Sequence, residues 1–212
     1  MEDIKLPGRA PIQFYFDFSS PYSYIASEWI EAVAARHGRR VQWHAVLLGF
    51  LFQSTGLKPL VDYPIKRDYA VRDILRSAAF AGVPIRMPEP FPVSTVNAAR
   101  VFWWLDSQDS LRAAAFARAA LRGYFTRNVN LNDPAQLKAL CTDSGLDAQA
   151  AEAAWGDAQW KSKLKTANDA AQAAGVFGAP YFIVDGEPFW GNDRQQQMEA
   201  WLQAGPPKGL QG

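Results

Sequence analysis

Sulfur chemistry is almost absent from this sequence. Only one of its 212 residues, Cys141, is a cysteine. An internal disulfide and a Cys-x-x-Cys redox pair both need two thiols, so the sequence excludes them, and it excludes a cysteine-based zinc site as well. The two histidines, His37 and His44, stand near no cysteine or glutamate cluster. We therefore predict no metal site.

An excess of charge of either sign is also missing. The sequence has 22 Lys and Arg residues against 21 Asp and Glu residues, which are interspersed, for a formal net charge of +1. This balance offers no electrostatic footprint for nucleic acid or for an anionic membrane surface. No window reaches the roughly 18 apolar residues that span a bilayer. The first residues, MEDIKLPGRAP, lack the apolar segment of a signal peptide. We expect a cytoplasmic protein that binds neither nucleic acid nor membrane.

Hydrophobic residues, by contrast, are plentiful, at 49% of the sequence, with 20% charged. A chain of this composition buries a sizeable core and is not disordered. Its length predicts one domain, or one domain that carries an insertion.

The start of the chain has the pattern of a strand, a helix and a second strand. Residues 12–18, IQFYFDF, are rich in aromatic side chains and predict a buried strand. Apolar residues recur at helical spacing over 22–37, and Gly38 suits the position after the helix end. Residues 41–48, VQWHAVLL, predict the second strand. Short connections between these elements favour a parallel, right-handed βαβ unit.

The middle of the chain is helical and rich in alanine. Between residues 63 and 175 the pattern predicts five or six helices and no strand. The clearest helix lies in DPAQLKALCTDSG, where Asp133 is the expected N-cap, Pro134 the first helical residue and Gly145 the terminator. Cys141 falls on the apolar side of this helix and is predicted to be buried and inert.

The end of the chain returns to β structure. APYFIVDGEPFW predicts two strands joined at Asp185-Gly186, a dipeptide favoured in tight hairpins. A closing helix follows, with Asn192 as N-cap and Gln195 completing a capping box. The predicted fold class is α/β, with a discontinuous domain of residues 11–48 plus 176–206 and an inserted all-α domain of residues 49–175.

One junction raises a functional question. In FYFDFSSPYSY the apolar strand stops at Ser19 and Ser20, and Pro21 follows where the helix begins. A serine at a helix start is commonly no more than an N-cap. The same position at a helix N-terminus, with its unpaired N–H groups and partial positive charge, also stabilises an anion. The residues alone leave both interpretations open.

The order of these features resembles the thioredoxin fold, with its strand–turn–helix opening, its GAP segment before a hairpin and its closing helix. In the DsbA-like branch a helical domain is inserted and Cys-Pro-x-Cys begins the first helix. Here that segment is Ser20-Pro21-Tyr22-Ser23, so both redox sulfurs are replaced by hydroxyls. Dithiol chemistry is therefore excluded.

A narrower resemblance covers nearly the whole chain. FYFDFSSPYSYIAS, PIKRDY and GVFGAPYFIVDGEPFWGNDR are similar to the motifs of kappa-class glutathione transferases and 2-hydroxychromene-2-carboxylate isomerases. The resemblance implies a glutathione-dependent cis-trans isomerase of 2-hydroxychromene-2-carboxylate or a related intermediate of aromatic degradation. It also implies a homodimer, since many family members pair.

The resemblance assigns a role to Ser20. With no protein cysteine at the helix start, the thiolate comes from glutathione, and the Ser20 hydroxyl donates a hydrogen bond to it. Ser20 is then the catalytic activator of a nucleophile that the protein does not itself carry.

The family also implies a set of glutathione-binding positions. Ala179 precedes a proline that is cis in this fold, and its backbone can pair with the cysteinyl unit of glutathione. Asn192 and Asp193 would hold the γ-glutamyl end, although both also suit a helix cap. Where the family carries an asparagine, this chain has Leu57, so only a backbone contact remains there. The full set implied is Ser20, Pro21, Tyr22, Leu57, Lys66, Ala179, Pro180, Asn192 and Asp193, with Phe91 and Trp190 as substrate contacts.

Two other functions fit the same residues. A kappa-type glutathione transferase or peroxidase would use the same thiolate for conjugation or peroxide reduction. A non-catalytic DsbA-like module would hold a small thiol or peptide without turnover. Saturable glutathione binding without turnover of any electrophile would favour the module.

Overall fold

The structure, a computed structural model, describes residues 10–207 apart from the side chain of Ser54. Nearly all of the N-terminal segment that we expect not to be a signal peptide lies outside the described residues. No helix in the described part is long and apolar enough to cross a membrane.

Strands at both ends of residues 10–207 enclose a helical middle. The elements are β1 (Ile12–Phe16), α1 (Pro21–Arg36), β2 (Val41–Ala45), α2 (Leu48–Thr55), a short 3-10 helix (Leu60–Asp62), α3 (Arg67–Phe80), α4 (Val96–Asp106), α5 (Ser110–Arg127), α6 (Pro134–Asp143), α7 (Ala148–Gly156), α8 (Ala158–Ala173), β3 (Tyr181–Val184), β4 (Glu187–Trp190), a second short 3-10 helix (Asn192–Arg194) and α9 (Gln195–Ala204).

The four strands form one mixed sheet in the order β2-β1-β3-β4. β1 and β2 are parallel, with Ile12 beside Val41, so the predicted parallel strand pair around α1 is confirmed. β3 is antiparallel to both β1 and β4. The two halves of the sheet come from opposite ends of the chain, and the seven helices α2–α8 lie between them in sequence. The predicted α/β class is confirmed.

Local turn chemistry is as the sequence predicts at three places. Asp185 (φ 52°) and Gly186 (φ 91°) both have positive φ, which a two-residue hairpin of this kind requires. Gly38 follows α1 with φ 63°. Asp133 caps α6 by accepting from the N–H groups of Ala135 and Gln136.

The predicted second strand is too long at its end. β2 stops at Ala45, and the chain turns into α2 at Leu48. The N–H of Leu47 donates to Asn168 Oδ1 (2.8 Å), and the N–H of Leu48 donates to Asp17 Oδ2 (2.6 Å). These amides are therefore satisfied by side chains and leave the ladder, although the apolar run continues.

The predicted capping box at Asn192 is wrong. α9 begins at Gln195, and its N-cap residue, Arg194, makes no side-chain cap bond. Residues 192–194 form a 3-10 turn in which the N–H of Arg194 donates to the carbonyl of Gly191 (3.3 Å). Gly191 has φ 108°, a conformation that redirects the chain before the helix. A backbone turn, and not a side-chain cap, therefore precedes α9.

One face of the sheet carries an aromatic core. The ring of Phe14 lies 5.2 Å from that of Phe182 and 4.8 Å from that of Trp43, and the ring of Phe16 lies 5.4 Å from that of Phe102 on α4. This core is continuous from the strands into the helical middle of the chain. The division into domains at residues 49 and 176 stays a prediction.

Cys141 is buried within this helical core, as predicted. Burial raises the pKa of its thiol to about 11. A thiol that is neither exposed nor ionised at neutral pH is a poor nucleophile.

The opposite face of the sheet carries polar aromatic side chains. Side chains alternate along a strand, so Tyr15 points away from Phe14 and Phe16, and the parallel register places it beside His44. The two rings stack with centroids 4.6 Å apart. His44 Nε2 lies 2.7 Å from Gln13 Oε1. Burial, and secondarily the charge of Lys163, lower the pKa of His44 to about 4.

This shift predicts how stability depends on pH. The folded pKa of His44, about 4, lies below the ordinary value of 6.5, so the unfolded chain binds the proton more readily. Wild-type stability therefore falls as the pH drops from 6.5 towards 4. His44→Gln removes this loss, so relative to wild type the variant gains about 2 kcal/mol between pH 7 and pH 5. Urea unfolding of the wild type and the variant at both pH values measures this difference in the free energy of unfolding.

His37→Gln is the matched control, because His37 is the only other histidine. We expect it to retain the pH dependence of the wild type. Equal slopes for wild type and His44→Gln would contradict the assignment.

Candidate active site

The N-terminus of α1 is built around Ser20. The N–H of Ser20 donates to the carbonyl of Asp17 (3.0 Å), which closes a tight turn after β1. The Ser20 hydroxyl then accepts from the N–H of Ser23 (3.1 Å), so Ser20 is the N-cap of α1, with Pro21 as the first helical residue. The capping interpretation of this serine is therefore correct, and it leaves room for a second role.

The Ser20 hydroxyl also makes a hydrogen bond to the loop that precedes β3. Ser20 Oγ donates to the carbonyl of Ala179 (3.1 Å), 159 residues further along the chain. The Ala179–Pro180 peptide is cis, as the resemblance implies. The carbonyl of Pro180 accepts from the N–H of Gly191 (3.0 Å), which ties this loop to the end of β4. The structure thus brings Ser20, Ala179 and Pro180 together.

A buried carboxylate that sequence reasoning missed holds this turn in place. Asp17 is 2% exposed and accepts four hydrogen bonds. The donors are the N–H of Ser19 (2.7 Å), its hydroxyl (2.9 Å), the N–H of Leu48 (2.6 Å) and the hydroxyl of Thr95 (3.0 Å). Burial raises the pKa of Asp17, and these four bonds oppose the rise. Asp17 therefore joins the turn before α1 to the starts of α2 and α4.

Tyr22, in the first turn of α1, is anchored to α3. Its hydroxyl donates to Asp73 Oδ2 (2.6 Å), and burial and this hydrogen bond raise the pKa of the phenol, which keeps it protonated. Lys66 lies directly before α3, seven residues ahead of Asp73, or about 10 Å along a helix axis. Its ammonium stands 4.9 Å from the ring centre of Tyr63 and forms no ion pair within residues 10–207. Among the described residues, Lys66 is thus an unpaired cation at the start of the helix that anchors Tyr22.

Leu57 follows Gly56, the left-handed residue that ends α2. The side chain of Leu57 is apolar and exposed to solvent. Only its backbone can offer polar contacts, as the sequence predicts.

Aromatic side chains flank the cis-proline loop. The indole of Trp190 is half exposed and packs edge-on against Phe177, with ring centroids 4.9 Å apart. Phe177 in turn meets Tyr181 at 5.4 Å. A Cβ added at Gly178 would lie 2.6 Å from Trp190 Nε1, so glycine is what allows the indole to lie against the loop. Phe177 was not expected in this role, because nothing in its spacing distinguishes it from a core residue.

Asn192 and Asp193 lie in the short 3-10 helix, which packs against α1. Asp193 Oδ2 accepts from Arg194 (2.7 Å), and its other oxygen lies over Gly191. The carboxylate is mostly exposed. The 3-10 turn after β4 therefore carries an exposed carboxylate that is paired with Arg194.

Phe91 lies against the helical middle of the chain. Its ring packs against Tyr124 (6.5 Å) and Phe125 (6.4 Å) on α5. It contributes to the helical core, and its contact with a substrate stays a prediction.

Chemically, the assembled site favours an anion at the start of α1. The first N–H groups of a helix have no intrahelical partner and carry a partial positive charge. Ser20 adds a hydroxyl, and Lys66 adds a cation before α3, at greater distance. The site contains no thiol, since Cys141 is buried in α6. It can hold and stabilise a nucleophile brought by a ligand.

The sequence is similar to known proteins over most of its length. The sequence model of the DSBA-like thioredoxin domain matches residues 11–203. The 2-hydroxychromene-2-carboxylate isomerase of Sphingobium xenophagum is 31% identical over 193 residues, which cover 90% of this chain and 97% of the relative. The glutathione S-transferase kappa 2 of Caenorhabditis elegans is 26% identical over 217 residues, 96% of each chain.

A solved structure shows the same fold. A selenomethionine 2-hydroxychromene-2-carboxylate isomerase aligns with a TM-score of 0.82 at 24% identity, covering 91% of this chain and 94% of that one.

We predict that Asp17→Asn destabilises the protein by about 2 to 4 kcal/mol. All four partners of Asp17 are donors, and an amide retains only one acceptor oxygen. If the amide oxygen of the asparagine faces Ser19 and Thr95, its NH₂ group faces the N–H of Leu48. Two donors then oppose each other. Thr95→Val, which removes a single donor, is the control and should cost about 1 kcal/mol. Equal losses in denaturant unfolding would show that the carboxylate is not the centre of this network.

We predict that Gly178→Ala displaces the indole of Trp190, because the new methyl group would overlap it. The emission spectrum of the variant should shift to the red, and the shift should vanish when Trp190→Phe is also present. Gly49→Ala is the matched control, since a Cβ there meets no atom within 4 Å. A red shift that survives Trp190→Phe would place the disturbance elsewhere.

Proposed function

The chain belongs to the DSBA-like thioredoxin domain family, in its 2-hydroxychromene-2-carboxylate isomerase group, and on this premise we propose that it is a glutathione-dependent isomerase. The proposed substrate is 2-hydroxychromene-2-carboxylate or a related aromatic-degradation intermediate, and the proposed location is the cytoplasm. The observation that carries the proposal is Ser20, which caps α1 and bonds to Ala179 in a site without a thiol.

The residues around Ser20 fit glutathione. A thiolate at the start of α1 would meet the helix N-terminus and the Ser20 hydroxyl, both of which favour the ionised form. The carbonyl of Ala179 stands opposite and can accept from the N–H of an extended peptide. A protein thiol, which would compete for this place, is absent from the site.

The hydrogen bond between Ser20 and Ala179 suggests how binding prepares the site. The Ser20 proton is directed at the Ala179 carbonyl, while one lone pair of Ser20 accepts from Ser23. If a peptide N–H of the ligand takes over that carbonyl, the Ser20 proton is released towards the sulfur. The cap bond from Ser23 is unaffected, so Ser20 changes partner without loosening α1.

Other residues are proposed to hold the two ends of the ligand. Lys66, free of ion pairs among the described residues, would bind a carboxylate of glutathione or of the substrate. Asp193 would pair with the γ-glutamyl amino group, beside Asn192. Pro21, Tyr22 and Pro180 would shape the walls, and the backbone of Leu57 would contribute one polar contact.

The aromatic substrate is proposed to lie against Trp190, whose half-exposed indole borders the cis-proline loop. When bound, glutathione supplies a thiolate that adds to and leaves a conjugated double bond, with no net oxidation. The protein's part is to keep the sulfur ionised through Ser20 and α1 and to orient the substrate carboxylate. A homodimer, implied by the family, stays a prediction.

We expect Ser20→Ala to bind glutathione but to lose most of the lowering of its thiol pKa. One hydrogen bond to a charged group corresponds to about one to two pKa units. The isomerisation rate at neutral pH should fall by about 10- to 100-fold for the same reason. Calorimetry gives the binding, and thiolate absorbance in the ultraviolet gives the pKa.

Two controls separate the donor role from the capping role. Ser20→Thr keeps a hydroxyl and should retain the pKa shift. Asp133→Ala deletes the cap of α6, which lies in the helical middle, and should lower stability by about 1 kcal/mol without changing the thiol. The proposal fails if wild type binds no glutathione at millimolar concentration, or if Ser20→Ala keeps the full shift.

The relative named glutathione S-transferase kappa 2 favours conjugation as a second candidate. Isomerisation returns glutathione unchanged after each turnover, whereas conjugation consumes it. Free thiol measured after many turnovers therefore decides between the two. Binding without turnover of chromenes or electrophiles would instead indicate the non-catalytic module.

A further inference from the structure

A cavity lies on the face of the sheet that carries Tyr15 and His44. Its volume is about 160 Å³, and it lies between β1 and β2 on one side and α8 on the other. Tyr15, His44 and Trp103 line it with aromatic rings, and α8 contributes Lys163 and Thr166. Neither Ser20 nor Ala179 belongs to its lining.

The cavity exists because α8 presents small side chains to large rings. Ala167, Ala170 and Ala171 are the α8 residues that complete the lining. Methyl groups above stacked rings leave space that longer side chains would fill. A cavity of about 150 Å³ accommodates one benzene molecule in a protein core. The space here has the size of a single six-membered ring.

Two polar groups at this cavity are free to bind a ligand, the ammonium of Lys163 and Nδ1 of His44. The ammonium of Lys163 lies 4.8 Å from the ring centre of Trp103 and forms no ion pair within the described part of the chain. Asp106 is close enough for the charge of Lys163 to lower its pKa, against the larger effect of burial, but it makes no direct contact. A carboxylate on a bound ligand would form an ion pair with Lys163.

His44 supplies the complementary group. Its Nε2 is bonded to the oxygen of Gln13, an acceptor, so this nitrogen carries the proton. The pKa of His44 is lowered to about 4, so the ring is neutral and Nδ1 is an acceptor. No hydrogen bond to Nδ1 is formed by any residue between 10 and 207. A hydroxyl on a ligand can donate to it.

We propose that this cavity binds a single-ring aromatic carboxylate that carries a hydroxyl group. The ring lies among Tyr15, His44 and Trp103, the carboxylate pairs with Lys163, and the hydroxyl donates to His44. The site is distinct from the glutathione site proposed above, because Ser20, Ala179 and Pro180 are not among its lining residues.

The test is titration of the full chain with 2-, 3- and 4-hydroxybenzoate up to about 10 mM. The protein has only two histidines, so nitrogen-15 correlation spectra of the imidazoles report His44 directly, with His37 as internal reference. We expect at least one isomer to shift the His44 signals saturably and to leave those of His37 unchanged. No saturable shift of His44 with any isomer overturns the proposal.

Variants of α8 locate the site. Ala167→Leu fills the cavity and should abolish binding, while Ala173→Leu, on the exposed side of the same helix, should not. Lys163→Gln should weaken binding by at least about tenfold. Its control, Lys165→Gln, removes only an exposed ion pair with Asp169 and should have no effect. Thermal unfolding confirms that each variant is folded.

The result also distinguishes this cavity from the Ser20 site. Binding should persist in Ser20→Ala and in the presence of saturating glutathione. If glutathione displaces the hydroxybenzoate, or if Lys163→Gln binds as tightly as wild type, the ligand lies elsewhere and the proposal is wrong. Failure of glutathione to bind would leave this test unchanged.

Discussion

The hydroxyl of Ser20 joins two parts of the chain that are 159 residues apart. It accepts from the first turn of α1 and donates to the carbonyl before the cis proline. Because a hydroxyl is both donor and acceptor, one side chain closes the helix end and fixes the facing loop. A thiol is a weaker donor and acceptor, so a cysteine would tie these parts less firmly. The position of this loop relative to α1 depends on this residue.

Behind Ser20, the structure depends on a buried acid. Asp17 gathers donors from the turn before α1, from the start of α2 and from Thr95 at the start of α4. Such a network is stable only when every partner is satisfied, and here four donors face two carboxylate oxygens. The helical middle of the chain and the sheet are thus connected at the point where the site begins. A rigid site needs this support, since small displacements weaken oriented hydrogen bonds.

Much of this arrangement could be predicted from local patterns. The strand, α1 and the hairpin at Asp185-Gly186 follow from alternation, helical spacing and turn chemistry, all of which act over a few residues. The cap at Asp133 is equally local. By contrast, the end of β2 depends on Asn168, which is 121 residues from Leu47, and no local pattern reports such a bond. Asn192 has the sequence of a cap, yet the positive φ of Gly191 turns the chain differently.

The site itself divides in the same way. Ser20 and Pro180 could be named from the sequence because they fall within motifs that resemble those of a known family, whereas a serine before a proline or a proline before a strand is common by itself. Asp17, Asp73 and Phe177 could not, since their importance comes only from what they meet in space. An acid that ends an apolar strand was the one available signal for Asp17, because a charge in that place must be either exposed or fully hydrogen-bonded. The same reasoning extends to the second face of the sheet, where neutral His44 and unpaired Lys163 are polar groups beside aromatic rings. His44 is partly buried and Lys163 is exposed, and a ligand that offers each of them a partner gains a specific contact beside the rings.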